Sequence, residues 1–177
     1  MRIGIASDIK IRPLLDHLSG RGRRYADWGQ GGTQVTQLVG ELVNRGYQVT
    51  IATLDPRATS EVVLEGTNLK ICIGPSRGRI RHRMVDVFRD ERHYVKRVLQ
   101  RESPDVIHAH WTYEYALGAL ATDIPTVTTI RDWAPTILRN TPPWPYRLLR
   151  LFIAMYVFWK GAHFTANSPY IASKVDR

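Results

Sequence analysis

The sequence is poor in several features that define other classes of protein. Cys72 is the only cysteine among 177 residues, so no disulfide can form within the chain, and this usage is typical of a reducing compartment. No apolar run is long enough for a transmembrane helix, and the first residues lack the apolar core and cleavage site of a signal peptide. We therefore expect a cytoplasmic protein, with peripheral contact to the inner face of the membrane as an alternative.

The short motifs of several catalytic classes are also missing. The chain has no HExxH motif and no cysteine cluster, which argues against zinc, and it has no Walker loop, nucleophile elbow or paired-carboxylate motif. The dinucleotide-binding pattern GxGxxG fails, because Gln34 stands where the third glycine belongs after Gly29 and Gly31. No helix-turn-helix, RRM or zinc-finger pattern is present, so we expect no nucleic acid as a partner.

Acidic residues are outnumbered, with 16 Asp and Glu against 25 Lys and Arg and a net charge of +9. Such a charge suits nucleic acid, an anionic membrane surface or phosphorylated small molecules, and a solvated basic face is the plain alternative. The basic segment Arg77 to Arg101 is the better candidate for an anionic surface. The apolar segment Tyr146 to Trp159 could lie at a membrane interface, but its sparse charges and wide apolar face favour a mostly buried core helix.

The stretch from Pro104 to Asp132 reads as strand, helix and strand. Short continuous apolar strands that alternate with helices predict a mostly parallel sheet covered on both faces. Over the whole chain the order is β-α-β-β-β-α-β-α-β-α-β-α. We therefore predict an α/β fold, namely a Rossmann-like three-layer α/β/α sandwich that forms a single domain over residues 1–177.

Three local assignments are less regular. Residues 9–30 read as a long loop, which inside a compact domain is either functional or disordered. A helix is predicted from about Met84 to Arg101, with Val85 and Phe88 in its apolar stripe. After Trp133 an irregular stretch is predicted over residues 140–145, and the next helix is predicted from Tyr146 to Trp159.

Polar residues stand where the predicted parallel strands end, and ligands of such sheets bind beyond those carboxyl ends. His108 and His110 alternate on one strand, so they share a face; we expect His108 to be packed in the structure and His110 to lie nearer the edge. Arg131 and Asp132 follow the next strand. They form either a structural ion pair or a site in which Arg131 holds a phosphate or carboxylate and Asp132 orients a hydroxyl.

A glycine pair precedes the first helix. Gly31 and Gly32 would let the backbone approach a phosphate, whose charge the free N–H groups and the helix dipole favour. A plain flexible turn explains a lone glycine pair equally well. The pair also lies far beyond the first strand, which is a further argument against the dinucleotide-binding motif. Asp55, at the end of the second strand, is a weak candidate for an acid that binds a ribose.

Four segments of the chain together form a recognisable series. They are GGTQVTQLVGELVNRGYQVTIAT (31–53), PDVIHAHW (104–111), IPTVTTIRD (124–132) and AHFTANS (162–168). In this order they resemble the amino-terminal half of GT-B-fold glycosyltransferases of the family 4 type, and the resemblance spans nearly all of the chain.

The resemblance implies the acceptor-side, Rossmann-like domain of a retaining hexosyltransferase. Such an enzyme transfers a sugar from a nucleotide-sugar donor to a hydroxyl acceptor and needs neither metal nor cofactor. A second domain, in cis or as another subunit, would hold most of the donor. By position the site residues would be His110, Arg131 and Asp132 for catalysis, Gly31, Gly32 and Thr33 for the donor phosphates, and Asp8, Trp111, Asn167 and Ser168 for the acceptor and the cleft.

The chain departs from the family pattern in two ways. Arg131 stands where many relatives have a histidine, and the donor half with its paired glutamates has no counterpart in these residues. We therefore expect an excised domain, a truncated product or one subunit of a split enzyme, inactive alone. The alternatives are a non-catalytic membrane-docking or scaffold subunit, part of a sugar-nucleotide epimerase, and a stand-alone nucleotide-binding domain.

Overall fold

The computed structural model describes residues 1–141 and 144–175. The strands are β1 (Arg2–Ala6), β2 (Gln48–Asp55), β3 (Val62–Glu65), β4 (Leu69–Pro75), β5 (Val106–His110), β6 (Thr126–Ile130) and β7 (His163–Ala166). The helices are α1 (Thr33–Asn44), α2 (Ile80–Met84), α3 (Arg89–Glu102), α4 (Glu114–Leu120), α5 (Ala134–Asn140), α6 (Trp144–Lys160) and α7 (Pro169–Val175).

These strands form one sheet in the order β3-β4-β2-β1-β5-β6-β7. Only the edge strand β3 is antiparallel to its neighbour; the other pairs are parallel. The predicted mostly parallel, Rossmann-like sheet is therefore confirmed. The carboxyl ends of its parallel strands meet at one edge, which we call the rim.

Apolar side chains fill a layer on each face of the sheet. Ile5 of β1 packs with α1 in one layer, whereas the next residue, Ala6, belongs to the other layer with α3, α4 and α6. This alternation explains why the strands read as continuous apolar runs. On β5, Ile107 and Ala109 enter the α3–α4–α6 layer, so His108 and His110 point to the opposite face, where α1 lies.

Residues 9–30 are not a plain loop. They contain two 3₁₀ helices, Arg12–His17 and Gly20–Tyr25, and are anchored in the α1 layer by the buried side chains of Ile9 and Ile11. The backbone N–H of Ile11 donates to the Trp28 carbonyl at 3.2 Å. The end of this segment therefore runs back beside its beginning.

The basic segment does not form one helix from Met84, as predicted. Helices α2 and α3 are separated by Val87 and Phe88, whose φ angles are +56° and +58°. The Phe88 ring is 1% exposed and Arg77 hydrogen bonds to carboxylates on both sides of the break, so buried contacts outweigh helix periodicity here. Val85 is 88% exposed and does not belong to the apolar stripe.

Helix α5, which begins at Ala134, was not predicted, and α6 begins at Trp144, two residues before the predicted start. Positions 142 and 143 of the predicted irregular stretch lie outside the described residues. Helix α6 buries Ile153, Ala154 and Val157 on one face and exposes apolar side chains on the other. The prediction of a mostly buried core helix therefore holds for one face only. Within the described residues, no helix has the length and apolar character needed to cross a membrane.

Candidate functional site at the rim

The glycine pair lies beside the end of β1, although it is distant in sequence. A Cβ on Gly32 would collide with the carbonyl oxygen of Asp8, and the φ of Gly32 is +62°. Only glycine fits this close approach without strain. The long segment 9–30 thus returns the chain to the rim, which removes the objection that the pair follows too far behind the first strand.

Asp55 fixes the path of this return. Its Oδ2 accepts a hydrogen bond from the Gly29 N–H at 2.8 Å, and both of its oxygens accept bonds from the Arg57 guanidinium at 2.7 and 2.9 Å. The carboxylate is buried and engaged by the chain itself. Its position explains the residue as an anchor of the glycine segment, and a role in ribose binding finds no support.

The amino terminus of α1 faces the rim without a side-chain cap. Gly32 is the N-cap residue, and the first turn holds no acidic residue. Gly31, with a φ of +64°, has open space where a side chain would be. The N–H groups of the first turn, beginning at Thr33, are therefore oriented toward a space that an anion could fill.

Arg131 joins this helix end to β5. Its Nη1 donates to Gln34 Oε1 at 2.9 Å, and its Nε donates to His110 Nδ1 at 3.4 Å. The guanidinium carbon lies 5.1 Å from the centre of the Trp111 ring. Burial lowers the pKa of Arg131, and no carboxylate among residues 1–141 and 144–175 compensates for it by a salt bridge.

His110 is a neutral hydrogen-bond donor in this arrangement. It is 2% exposed, and burial, followed by the charges of His108 and Arg131, lowers its pKa to about 3. Because Nδ1 accepts from Arg131, the ring proton resides on Nε2. That nitrogen has no partner within the described part of the chain.

The ring of His108 lies 4.1 Å from that of His110, and its Nε2 is 2.6 Å from Thr129 Oγ1. His108 is half-buried and held by β6, as expected of a packed residue. Burial also lowers its pKa, so the pair of imidazoles carries no charge at neutral pH.

Asp132 points away from Arg131. Its Oδ1 accepts a hydrogen bond from Tyr113 OH at 2.8 Å, and its Oδ2 lies 3.8 Å from Arg150 Nη2. The guanidinium of Arg150 also stacks on the Tyr113 ring at 3.3 Å. The structural ion pair between Arg131 and Asp132, which the sequence left open, is therefore wrong.

A cavity of about 250 Å³ opens on this second side of the rim. It is lined by Asp8, Trp111, Tyr113, Glu114, Tyr115 and Arg150. A neighbouring cavity of about 150 Å³ shares Asp8, Glu114 and Tyr115. A larger cavity, of about 540 Å³, lies at the opposite edge of the sheet around Glu65 and Gly66 and contains no predicted site residue.

Asp8 lines the 250 Å³ cavity with a carboxyl group whose pKa is raised. Burial and, less strongly, the charge of Glu114 raise its pKa to about 6, although Tyr115 OH donates to its Oδ1 at 2.7 Å and opposes the rise. Glu114 Oε2 is buried without a hydrogen-bond partner among the described residues. The cavity therefore presents two carboxylates that can accept hydrogen bonds from hydroxyl groups.

Trp111 connects the two sides of the rim. It stacks under Arg131 on one side and lines the Asp8 cavity on the other. Its φ of +63° is a strained backbone conformation for a non-glycine residue, which is common at functional sites.

The last two predicted residues follow β7. Asn167 Nδ2 donates to the Arg131 carbonyl at 3.4 Å, which places Asn167 at the rim. Ser168 Oγ accepts the Ile171 N–H at 3.3 Å and so caps α7. Among residues 1–141 and 144–175, no group of three or more His, Cys, Asp or Glu side chains is placed to hold a metal ion.

Sequence reasoning missed five residues of the rim: Gln34, Tyr113, Glu114, Tyr115 and Arg150. Tyr113, Glu114 and Tyr115 lie three to five residues after the end of β5, where α4 begins, and this closeness to a predicted strand end was a usable signal. Gln34 and Arg150 reach the rim from α1 and α6, and nothing local in the sequence marks them.

A mostly parallel sheet covered by helices, with a helix amino terminus and a polar cavity on one rim, defines a Rossmann-like α/β domain. The sequence model of Glycosyltransferase Family 4 matches residues 31–177, most of the chain, and the chain therefore belongs to this glycosyltransferase family. The match begins at the glycine pair and includes every predicted site residue except Asp8. No curated protein sequence matches the chain significantly.

Proposed function

We propose that this chain is the acceptor-binding domain of a retaining glycosyltransferase, which transfers a sugar from a nucleotide-sugar donor to a hydroxyl acceptor. One observation carries the proposal: an anion-compatible helix end and a carboxylate-lined cavity meet at Trp111 on the same rim. A transferase needs these two subsites side by side, because the acceptor hydroxyl must reach the sugar carbon that bears the diphosphate.

The α1 side would receive the donor diphosphate. The open backbone at Gly31, the first-turn N–H groups from Thr33 and the Arg131 guanidinium supply positive potential there. These groups would stabilise the negative charge that develops on the departing nucleoside diphosphate. The Nε2–H of His110 is a neutral donor beside the Arg131 guanidinium, so the two residues would contact the donor together.

The Asp8 side would receive the acceptor. Asp8 and Glu114 can accept hydrogen bonds from acceptor hydroxyls, and the pKa of about 6 lets Asp8 take up a proton near neutral pH. Asp132 holds Tyr113 and Arg150, which line the cavity, so we propose a positioning role for it. Asn167 would support Arg131 through its carbonyl oxygen.

A second domain, in cis or as a separate subunit, would complete the binding site for the donor sugar nucleotide. This chain alone would not catalyse sugar transfer. Neither a metal ion nor a cofactor is part of the proposed reaction. Closure of the two halves would exclude water from the reacting centre.

The proposal is tested by sugar transfer with the enzyme that contains both halves, across nucleotide-sugar donors and hydroxyl acceptors. NMR of the product should show a retained anomeric configuration. The variant Arg131→Gln should lower kcat/KM by about tenfold to a hundredfold, because a preorganised charge at the leaving group is lost.

The matched control is Arg45→Gln, which removes the same charge from an exposed pair with Glu41 on α1 and should leave transfer unchanged. An inverted product, release of an epimerised nucleotide sugar, or wild-type kinetics of Arg131→Gln would each contradict the proposal.

A further inference from the structure

Helix α6 exposes a row of large apolar side chains, although its other face is buried. Phe152 is 63% and Trp159 77% exposed. The row consists of Leu148, Phe152, Met155, Tyr156 and Trp159. Their spacing places them on one side of the helix, opposite the buried residues Ile153 and Val157, and we call this side the α6 aromatic face.

A cleft of about 430 Å³ connects this face to the basic segment of the chain. It is lined by Val87, Arg92, Leu117, Leu149, Phe152, Ile153 and Tyr156. Arg92 is its one charged lining residue, and Arg92 Nε has no hydrogen-bond partner in the described part of the chain. The fold therefore brings together the two segments that the sequence separately suggested for a membrane surface.

The surroundings of the α6 aromatic face are positively charged. No acidic residue occurs from position 133 to position 175, a span that contains Arg139, Arg147, Arg150, Lys160 and Lys174. Among the described residues, Arg147 Nε also lacks a hydrogen-bond partner. An apolar face on a segment that contains cations and no carboxylates of its own is complementary to a surface that is apolar inside and anionic outside.

Charge also decides between the occupants of this face. A second copy of the chain would bring a net charge of +9 against another +9, and no carboxylate from position 133 to position 175 could offset the repulsion. An anionic lipid surface supplies the opposite charge. Tryptophan, tyrosine and long cationic side chains are suited to the lipid–water boundary, where each has one apolar and one polar end.

We propose that the α6 aromatic face docks the protein on a membrane that contains anionic lipids. Phe152 and Trp159 enter the interfacial region, and Arg92, Arg147 and Lys160 contact lipid phosphates. The inference rests on exposure and charge, and it does not depend on the proposed transfer reaction.

Vesicle flotation tests the apolar contribution. The wild-type protein should float with vesicles of phosphatidylcholine and phosphatidylglycerol. Brominated lipid in these vesicles should quench the fluorescence of Trp159. The double variant Phe152→Ser/Trp159→Ser should bind these vesicles about tenfold or more weakly, because two apolar insertions are lost. The control Val63→Ser changes an exposed apolar residue on the edge strand β3 and should float like the wild type.

The charge contribution is tested with the same assay. Binding should be weak to vesicles of phosphatidylcholine alone and should fall as salt is raised. Arg92→Gln should weaken binding to the anionic vesicles, whereas Arg45→Gln on the other face of the sheet should not. The inference is overturned if the wild type fails to float or if the double variant floats equally well. It is also overturned if sedimentation shows that the wild type is a dimer and that the only effect of the double substitution is to dissociate it.

Discussion

Burial shifts the pKa values of Asp8 and His110 in opposite directions. It raises that of the carboxyl group and lowers that of the imidazole, because burial disfavours the charged form of each. At neutral pH the rim therefore presents a carboxylate that is readily protonated and a neutral N–H donor. These two properties suit the handling of hydroxyl and phosphate groups.

Asp8 makes the stability of the protein depend on pH. Its pKa is about 6 when folded and 3.8 ordinarily, so between these values the folded state binds more protons than the unfolded state. The contribution of Asp8 to the free energy of unfolding is therefore largest in acid and falls as pH rises through this window. In the variant Asp8→Asn, this fall in the free energy of unfolding with rising pH should be absent.

Urea denaturation over a pH series checks the effect. Relative to Asp8→Asn, the wild type should lose on the order of 2 kcal/mol as pH rises from about 4 to about 7. The exposed Asp16→Asn serves as the control and should track the wild type. His110 contributes with the opposite sign, but it is present in all three proteins and cancels in the comparison. A pH-independent difference would show that Asp8 has an ordinary pKa.

The sequence located the residues that directly follow predicted strand ends. Asp8, His110 and Arg131 could be named because parallel strands bring their carboxyl ends to one edge. The hydrogen bond from Arg131 to Gln34 and the stacking of Arg150 on Tyr113 could not be predicted. They depend on the relative placement of helices that are distant in sequence.

At the scale of helices and strands, side-chain periodicity predicted the strands well and the ends of the helices less well. The break between α2 and α3 lies at Val87 and Phe88, where a left-handed backbone accompanies the burial of Phe88. Helix α6 shows the same limit, because its apolar residues surround the helix and do not reveal which face the core covers.

Two helical glycines provide a matched pair of substitutions. A Cβ on Gly118 of α4 would lie 2.7 Å from Val95 Cβ and 2.9 Å from the Arg92 carbonyl oxygen, so Gly118→Ala should force α3 and α4 apart. Gly40 of α1 has no neighbour closer than 4.0 Å. Its replacement by alanine adds helix propensity without a clash.

We expect Gly118→Ala to lower the free energy of unfolding by about 1–3 kcal/mol. Gly40→Ala should raise it by about 0.5–1 kcal/mol. Chemical denaturation of both variants measures the two effects. Equal shifts in the same direction would contradict the close packing of α4 on α3.

At the scale of the whole molecule, the sheet order places the two subsites next to each other. Strand β1 lies between β2 and β5, and β6 follows β5, so residues from four strand ends share one rim. The long return of residues 9–30 then adds the glycine pair. The alternation of strands and helices predicted the sheet, but this return path depends on the anchoring of Gly29 by Asp55.

We expect half of a donor site on this rim. The chain alone should therefore bind a nucleoside diphosphate weakly, with a Kd of about 1 mM, for which only a few polar contacts suffice. Amide chemical shifts in a ¹⁵N-labelled sample, titrated with uridine and guanosine diphosphates, report both the affinity and the location.

The result predicted is a set of shift changes confined to the Gly31–Gln34 segment, Trp111 and Arg131, reduced in Arg131→Gln. Changes clustered at the cavity around Glu65, no changes at millimolar nucleotide, or tight binding by this chain alone would contradict the assignment of half a donor site to the rim.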